Sequence, residues 1–258
     1  MALKKSDGQA VADTEELVVA DENGVQRVNM AQSMVLGGID GDTEDIQDRH
    51  PYLRIHSGMG LHGEDFKKGS IIIGGDSLIA EAGKPIRVTF LSARFYWKEH
   101  SNDKYDPKRI FDICANAKEV EAKGGTTKRF ANDGRTEYRR AVAALALIEK
   151  PDQLISGYFG IELGGKLYAP VTWFTDKTVA EYLAPALLNE LKWSLAKRGL
   201  YSGVFEMRTE LKTFGTGNTT YIPRLKLVDY HTDAVIEEIR AKFEGSLTSP
   251  DPVSDIGE

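Results

Sequence analysis

Acidic side chains are concentrated at the two ends of this chain, and that distribution limits where a packed core can form. Residues 1–50 carry four Lys or Arg against eleven Asp or Glu, and residues 241–258 carry one base and four acids. Highly charged segments with few apolar residues bury too little apolar surface to fold alone. We therefore expect a flexible acidic arm over residues 1–50, one folded domain over residues 51–243 and a disordered acidic tail over residues 244–258.

The region between the acidic ends is mildly basic. Residues 51–240 hold 28 bases and 24 acids, although the whole chain has a net charge of -6. A basic body with acidic ends suggests contact with a polyanion, with the acidic segments competing for the same surface or recruiting partners. The alternative is an ordinary globular domain with solvated tails.

Cysteine content and hydropathy indicate a soluble protein of a reducing compartment. The single Cys114 excludes an internal disulfide and a multi-cysteine metal site. The chain has no run of 18 apolar residues, and its first residues lack the apolar stretch of a signal peptide. We expect a cytoplasmic location and no membrane partner.

Alternation of apolar and polar residues predicts a β-rich body. Residues 85–97 alternate over β-favouring side chains, which predicts a long strand. Residues 154–163 and 166–175 flank Gly164-Gly165, a two-residue hairpin turn, and a second hairpin is predicted over residues 204–229.

Two helices are predicted in the second half of the chain. Asp176 can cap a helix that runs to Arg198, with Pro185 either kinking it or marking its first turn, and residues 232–243 fit a closing helix. Residues 136–150 fit a helix or a buried strand equally well. Residues 99–137 are polar and rich in Lys, Arg and Asn, and we expect a long excursion there and no core element.

The catalytic motifs in the sequence are incomplete. Gly75-Asp76-Ser77-Leu78 resembles the nucleophile motif of GDSL esterases, with Ser77 as nucleophile. That chemistry needs a late Asp-x-x-His to supply the base, and none of the five histidines has Asp three positions before it. The Gly58–Gly63 pattern lacks the helix that a dinucleotide site requires, and Asp40–Asp45 lacks the glycine of a calcium loop. We expect no enzyme activity, no cofactor and no metal.

The remaining signal is a set of basic residues interleaved with aromatic ones. Single-strand binders need cations along the phosphates and flat rings on which bases stack. Duplex readers would show a recognition helix, which the sequence does not reveal. The predicted nucleic-acid-binding residues are Arg94, Tyr96, Trp97, Lys108, Arg109, Lys128, Arg129, Phe130, Arg135, Tyr138, Arg139, Tyr168 and Trp173.

Three segments together resemble the single-stranded-DNA-binding proteins of tailed phages. They are the strand PIRVTFLSARFYWKEH with its basic excursion, the hairpin VFEMRTELKTFGTGNTTYIPRLKLV and the tail SPDPVSDIGE. The resemblance implies an α+β, β-rich fold, with an OB-like five-stranded barrel, an inserted amphipathic helix and a closing C-terminal helix. It also implies non-catalytic binding of single-stranded DNA in phage DNA replication or recombination, in the host cell cytoplasm.

The resemblance assigns roles to parts of the chain. The curved face of the barrel would carry Arg94, Tyr96, Trp97 and rings of the 154–175 hairpin, and Lys128, Arg129, Arg135 and Arg139 would clamp phosphates. The acidic tail would occupy the groove without DNA, and when displaced would recruit replication or recombination proteins. A homo-oligomer is compatible with this arrangement.

Three other functions remain open. The main alternative is a viral structural or assembly protein that uses its hairpins and acidic arm for contacts. A GDSL-like hydrolase based on Ser77 is the third hypothesis. A small-ligand module is the last, because β-barrels also hold ligands.

Overall fold

Strands dominate the part of the chain that the structure, a computed structural model, describes. The described residues are 50–58, 65–100, 112–129, 133–152, 154, 156–215 and 217–247. A small antiparallel sheet has the order β1-β2-β3 and consists of β1 (Leu53–Ile55), β2 (Ile71–Ile73) and β3 (Ser77–Ala80).

A larger antiparallel sheet of seven strands forms the centre of the fold. Its order is β10-β9-β4-β6-β8-β7, with β5 paired to the far end of β4. Its strands are β4 (Ile86–His100), β5 (Ile113–Cys114), β6 (Glu137–Glu149), β7 (Ile161–Leu163), β8 (Lys166–Asp176), β9 (Gly203–Thr213) and β10 (Thr219–Tyr230). The helices are α1 (Ala117–Ala122), α2 (Lys177–Trp193) and α3 (Asp233–Leu247).

The β-rich α+β class is confirmed, whereas no closed barrel is found among the described strands. The sheet runs from β10 to β7 as an open path. β4 pairs with β9 only over Ile86–Val88 but with β6 over almost its whole length, and the register between β4 and β6 shifts between Phe90 and Ser92. The long central strands therefore make a broad surface that is open at its edges.

The predicted hairpin over residues 204–229 is confirmed, whereas the first arm of the Gly164-Gly165 hairpin is a strand only over Ile161–Leu163 and not from residue 154. The segment at residues 136–150, which fitted a helix or a strand, is a strand. Gly164 and Gly165 have φ values of 55° and 77°, the left-handed conformation that a two-residue turn needs. Residues 136–150 become β6, whose side chains are largely buried on both faces. A strand that is buried on both faces lacks the alternation of apolar and polar residues that distinguishes a strand from a helix. Periodicity therefore fits both a helix and a strand at residues 136–150.

α2 packs against one face of the large sheet. Leu183, Ala184 and Leu187 are buried in one cluster with Phe90 and Trp173. The helix ends at Trp193, five residues before the predicted Arg198, and Pro185 lies inside it. Leu195 is still fully buried, so the apolar face continues past the end of the helix.

α3 extends beyond the predicted closing helix. It runs to Leu247 with non-helical dihedral angles at the buried Phe243, so residues 244–247 belong to the helix and not to a tail. Residues 1–49 and 248–258, which include nearly all of the predicted arm and tail, lie outside the described residues. Among the helices described, none has the length and apolar content needed to cross a membrane.

Part of the 99–137 excursion is ordered around a small core, contrary to expectation. β5 pairs with Trp97 and Lys98, and α1 contributes Val120 to a buried cluster with Cys114 and Tyr138. Asn116 caps α1 by accepting a hydrogen bond from the Glu119 N–H at 3.0 Å. These few buried positions could not be predicted from the sequence, because most residues of the segment are polar.

Candidate nucleic-acid interface

The two faces of the large sheet are covered by different elements. Alternate residues of β6, including Val142 and Ala144, enter the cluster that α2 covers. On the opposite face, α3 packs against one end of the sheet, where Thr89 Oγ1 lies 2.8 Å from His231 Nε2. At the other end of that face, strand register places two cross-strand rows, which we call the open face. They are Arg94–Ala143–Phe174 and Tyr96–Ala141–Asp176.

The first row of the open face brings a cation and an aromatic ring together. Arg94 is exposed and pairs with no carboxylate among the described residues, and Phe174 is 55% exposed. Ala143 lies between them and carries only a methyl group. The row is therefore a shallow platform with a guanidinium on one side and a ring on the other.

The platform extends onto the small sheet. Tyr52 forms a parallel bridge with Thr172 of β8, and its ring centroid lies 5.8 Å from that of Phe174. The Arg54 guanidinium lies 5.8 Å from the centre of the Tyr52 ring, within cation–π range. Two rings and two guanidiniums, those of Arg54 and Arg94, thus lie along one surface.

Tyr96 occupies the second row. Burial raises the pKa of its phenol, the nearby Asp176 carboxylate raises it further, and Arg94 opposes both effects. The hydroxyl therefore stays protonated at neutral pH and can donate a hydrogen bond to a phosphate or base. Asp176 is the acidic member of the row, so the positive charge of the open face is centred on Arg94.

Trp97 lies on the α2 face, not beside Arg94 and Tyr96 as the resemblance implied. Successive side chains of a strand point to opposite faces, and Trp97 packs partly against the Cys114–Val120–Tyr138 cluster. The Arg140 guanidinium lies 5.2 Å from its ring centre. A single flat surface built from all three predicted residues is therefore excluded.

A cavity of about 330 Å³ opens next to Trp97 on this face. Arg129 contacts Glu181 of α2 in an ion pair at its edge. Arg140 lines the same cavity, and within the described ranges it pairs with no carboxylate. The lining residues are Trp97, Thr127, Arg129, Tyr138, Arg139, Arg140, Glu181 and Pro185.

Tyr138 is held inside the small core. It is 5% exposed, and its hydroxyl donates a 2.8 Å hydrogen bond to Asp112 Oδ2. Burial, together with this carboxylate, raises the pKa of the phenol to about 12. Lys123 Nζ donates to both oxygens of Asp112, at 3.0 and 2.9 Å. A structural role explains these contacts, and little of the ring can reach a ligand.

Two predicted rings are excluded as stacking surfaces because they are buried. Trp173 is 2% exposed in the core beneath α2, and Tyr168 is 3% exposed with its ring facing His231. Burial raises the pKa of Tyr168 to about 12. Arg139, expected to clamp a phosphate, is also buried, in an ion pair with Glu137 at 2.6 Å on strand β6.

The other predicted cations are in exposed loops or outside the described residues. Lys128 is exposed next to Arg129, and Arg135 forms an ion pair with Asp133 at 2.6 Å. A surface ion pair is a weak constraint, so Arg135 can exchange partners at small cost. Lys108, Arg109 and Phe130 lie outside the described residues.

The described residues do not complete a hydrolase or metal site. The Ser77 hydroxyl lies 3.3 Å from the Ser156 hydroxyl, which cannot act as a general base. Ser77 is in strand β3 and not at a strand-to-helix turn of the kind that presents the nucleophile in α/β-hydrolases. No group of three or more metal-ligating side chains occurs among the described residues.

Sequence reasoning missed the contribution of the small sheet. Tyr52 and Arg54 appeared only as part of a short strand, because nothing in the sequence shows that β1 packs beside β8. Phe174 was one of several hairpin rings, and alternation alone does not tell which ring of the Trp173-Phe174 pair faces solvent. Comparison of the chain with known protein families, characterised proteins and solved structures finds no match.

Proposed function

We propose that this protein binds single-stranded DNA without catalysis. The observation that supports the proposal best is the exposed Phe174 ring next to Tyr52, flanked by Arg94 and Arg54. Bases of a single strand stack on such rings, each stacked base contributing about 1–3 kcal/mol, while guanidiniums bind the phosphates. A duplex hides its base faces, so this platform favours a single strand.

The strength of the binding would be electrostatic in large part. Arg94 has no carboxylate partner in the described part of the chain, so a phosphate does not have to displace an existing ion pair. Each phosphate contact to a single strand contributes about 0.7 to the slope of log affinity against log salt concentration. A few contacts therefore give a steep and measurable salt dependence.

The setting that we propose is phage DNA replication or recombination. It rests on the resemblance of the long strand, late hairpin and tail, which also implies an OB-type barrel. The function does not depend on a barrel, because the open face of β4, β6 and β8 presents a broad β-surface with rings and cations. The acidic tail would compete with DNA for that surface and recruit partner proteins.

Fluorescence anisotropy with labelled single-stranded and duplex oligonucleotides across salt concentrations tests the proposal. We expect single strands to bind about tenfold tighter or more, a difference of about 1.4 kcal/mol. Arg94→Gln should lower the salt slope by about 0.7. The matched control is Arg208→Gln, an exposed arginine on β9. Equal binding of duplex and single strand, or a flat salt response, contradicts the proposal.

An assembly protein is the second candidate, and one observation favours it. Trp193, at the end of α2, is 73% exposed, with Lys192 Nζ 5.3 Å from its ring centre. A large exposed ring is common at protein contacts. Light scattering without nucleic acid separates the candidates: concentration-dependent assembly that Trp193→Ser abolishes, with no oligonucleotide binding, supports the assembly protein.

A further inference from the structure

We propose that the cavity at Arg140 binds a phosphate group of the nucleic-acid strand. The inference rests on the proposed function, since it takes the strand as the source of the phosphate, and it adds a second contact on the other face of the sheet. It depends on the position of Arg140, the charges of the cavity and the end of the β6–β8 pairing.

Arg140 is a partly buried cation without a carboxylate partner in the described residues. Its guanidinium contacts the Trp97 ring, which fixes its position but does not neutralise its charge. The other two lining arginines each have a carboxylate, Glu181 for Arg129 and Glu137 for Arg139. The cavity therefore has an excess of positive charge that an anion would neutralise.

A guanidinium suits a phosphate better than other anions of nucleic acids. Its planar array of N–H donors binds two phosphate oxygens at once. Stacking on Trp97 holds Arg140 in place, so less conformational entropy is lost when it binds. The cavity volume of about 330 Å³ lies at the lower end of the usual range for small-molecule sites, which is room for a phosphate and part of its sugar.

The topology connects this cavity to the open face. Pairing between β6 and β8 ends at Ala141 and Asp176, where the chain leaves the sheet to begin α2. Arg140 is the next residue of β6, beyond that pairing. The chain turns away at Lys177, which has a φ of 53°. Arg140 therefore has no β8 partner, and the next segment along this edge of β6 is Thr126, which bridges Glu137.

The spacing agrees with one continuous ligand. Arg140 is three residues from Ala143 along β6, about 10 Å at the usual rise of a strand. Ala143 marks the row of Arg94 and Phe174. We infer that bases stack at Tyr52 and Phe174 while the same strand passes the end of β8 and a phosphate of it binds Arg140.

Anisotropy on the full chain with Arg140→Gln tests the inference. We expect the variant to lower the salt slope for an oligothymidine by about 0.7, one phosphate contact, and Arg208→Gln to leave it unchanged. A melting curve of each variant controls for loss of the Trp97 contact. Because Lys can replace the charge, Arg140→Lys should recover most of the slope. An unchanged slope in a folded Arg140→Gln variant overturns the inference.

Oligonucleotides with and without a 5′-phosphate identify the source of the phosphate. Tighter binding of the phosphorylated strand by the wild type, lost in Arg140→Gln, indicates a terminal phosphate. If Arg140→Gln lowers the salt slope but the wild type does not prefer the phosphorylated strand, the bound group is an internal phosphodiester. Either result supports the site.

A separate measurement distinguishes failure of this inference from failure of the proposed function. If the wild type binds oligonucleotides and Arg140→Gln has the same salt slope, the proposed function is supported and the phosphate site at Arg140 is contradicted. If no oligonucleotide binds, pyrophosphate is added at constant ionic strength. A rise in melting temperature in the wild type but not in Arg140→Gln then supports the phosphate site alone, and no rise contradicts both.

Discussion

Trp173 and Phe174 are consecutive residues of β8 whose rings lie on opposite faces of the large sheet. Trp173 pairs with Ala144 and packs in the core beneath α2, whereas Phe174 pairs with Ala143 on the open face. Their exposed fractions are 2% and 55%. One peptide unit thus separates a ring that stabilises the fold from a ring that is free to contact a ligand.

This pair gives the first prediction. Trp173→Ala should lower the free energy of unfolding by about 3–5 kcal/mol because it leaves a large cavity in the core. Phe174→Ala should lower it by only about 0.5–1.5 kcal/mol, through loss of the ring contact with Tyr52. It should instead weaken oligonucleotide binding by about 1–3 kcal/mol.

Urea denaturation measures the stability effects and anisotropy the binding effect. Phe174→Tyr is the control, since it keeps a ring for stacking. Wild-type affinity in Phe174→Ala would mean that bases do not stack on this ring.

Tyr138 gives the second prediction, which separates a structural role from a binding role. Tyr138→Phe removes one buried hydrogen bond to Asp112, while Lys123 continues to bind that carboxylate. We expect a loss of about 1 kcal/mol in stability and unchanged oligonucleotide affinity, because the variant loses only the hydroxyl, which bonds to Asp112, and keeps the ring that lines the Arg140 cavity. In an ultraviolet pH titration the variant should show one phenol fewer at a pKa of about 12, because Tyr168, which also titrates there, remains. Weaker binding without loss of stability would restore Tyr138 to the interface.

The elements that the sequence predicted well are those with local signals. The Gly164-Gly165 turn, the alternating strand predicted at residues 85–97 and the apolar stripe of α2 each depend on residues close in sequence. The closed barrel that the resemblance implies is not found among the described strands, for a different reason. Closure depends on which distant strands pair, and no local pattern encodes that β4 joins β9 through three residues and β6 through nearly all of its length.

In the candidate site, too, the features that depend on neighbouring residues could be predicted and those that depend on distant residues could not. Arg94 and Tyr96 were predicted on one strand and do share a face, because alternation is local. The expectation that Trp97 shares this face is wrong, because it does not follow the alternation and the register pairs Trp97 with Arg140 on the α2 face. The contribution of Tyr52 could not be predicted, since it depends on a parallel bridge to Thr172 across about 120 residues of sequence.

His231 gives the third prediction, which concerns pH. Burial lowers the pKa of this imidazole, Lys166 lowers it too, and Glu149 and Asp229 act in the opposite direction. Its Nε2 contacts Thr89 Oγ1 at 2.8 Å, next to the start of α3. The folded state therefore favours the neutral ring. This contribution to stability is fully present above about pH 6.5, the ordinary value, and is lost as the pH falls toward the folded-state pKa.

The expected measurement is a urea unfolding series from pH 8 to pH 5. Wild type should lose more stability than His231→Gln below about pH 6.5, because the amide can bond to Thr89 but does not titrate. All other residues are the same in the two proteins, so the difference between their pH profiles reports on position 231. Parallel pH profiles for the two proteins would rule out this role.

The acidic tail gives the fourth prediction, and the extent of α3 decides how it is tested. Truncation at residue 244 would remove helical residues next to the buried Phe243, so the tail should be cut after Leu247. The removed residues 248–258 carry three acids and no base. If they compete with DNA for Arg94 and its neighbours, truncation should tighten oligonucleotide binding several-fold at low salt. The gain should fade as salt screens charges beyond about 10 Å near 0.1 M.

A full-length variant with Asp251→Asn, Asp255→Asn and Glu258→Gln tests charge separately from chain length. It should bind as tightly as the truncated protein at low salt if the competition is electrostatic. Tighter binding by the truncated protein alone would point to steric exclusion by the tail. Unchanged or weaker binding by both proteins would mean that the tail does not inhibit DNA binding, and its role would then be sought in recruiting partners.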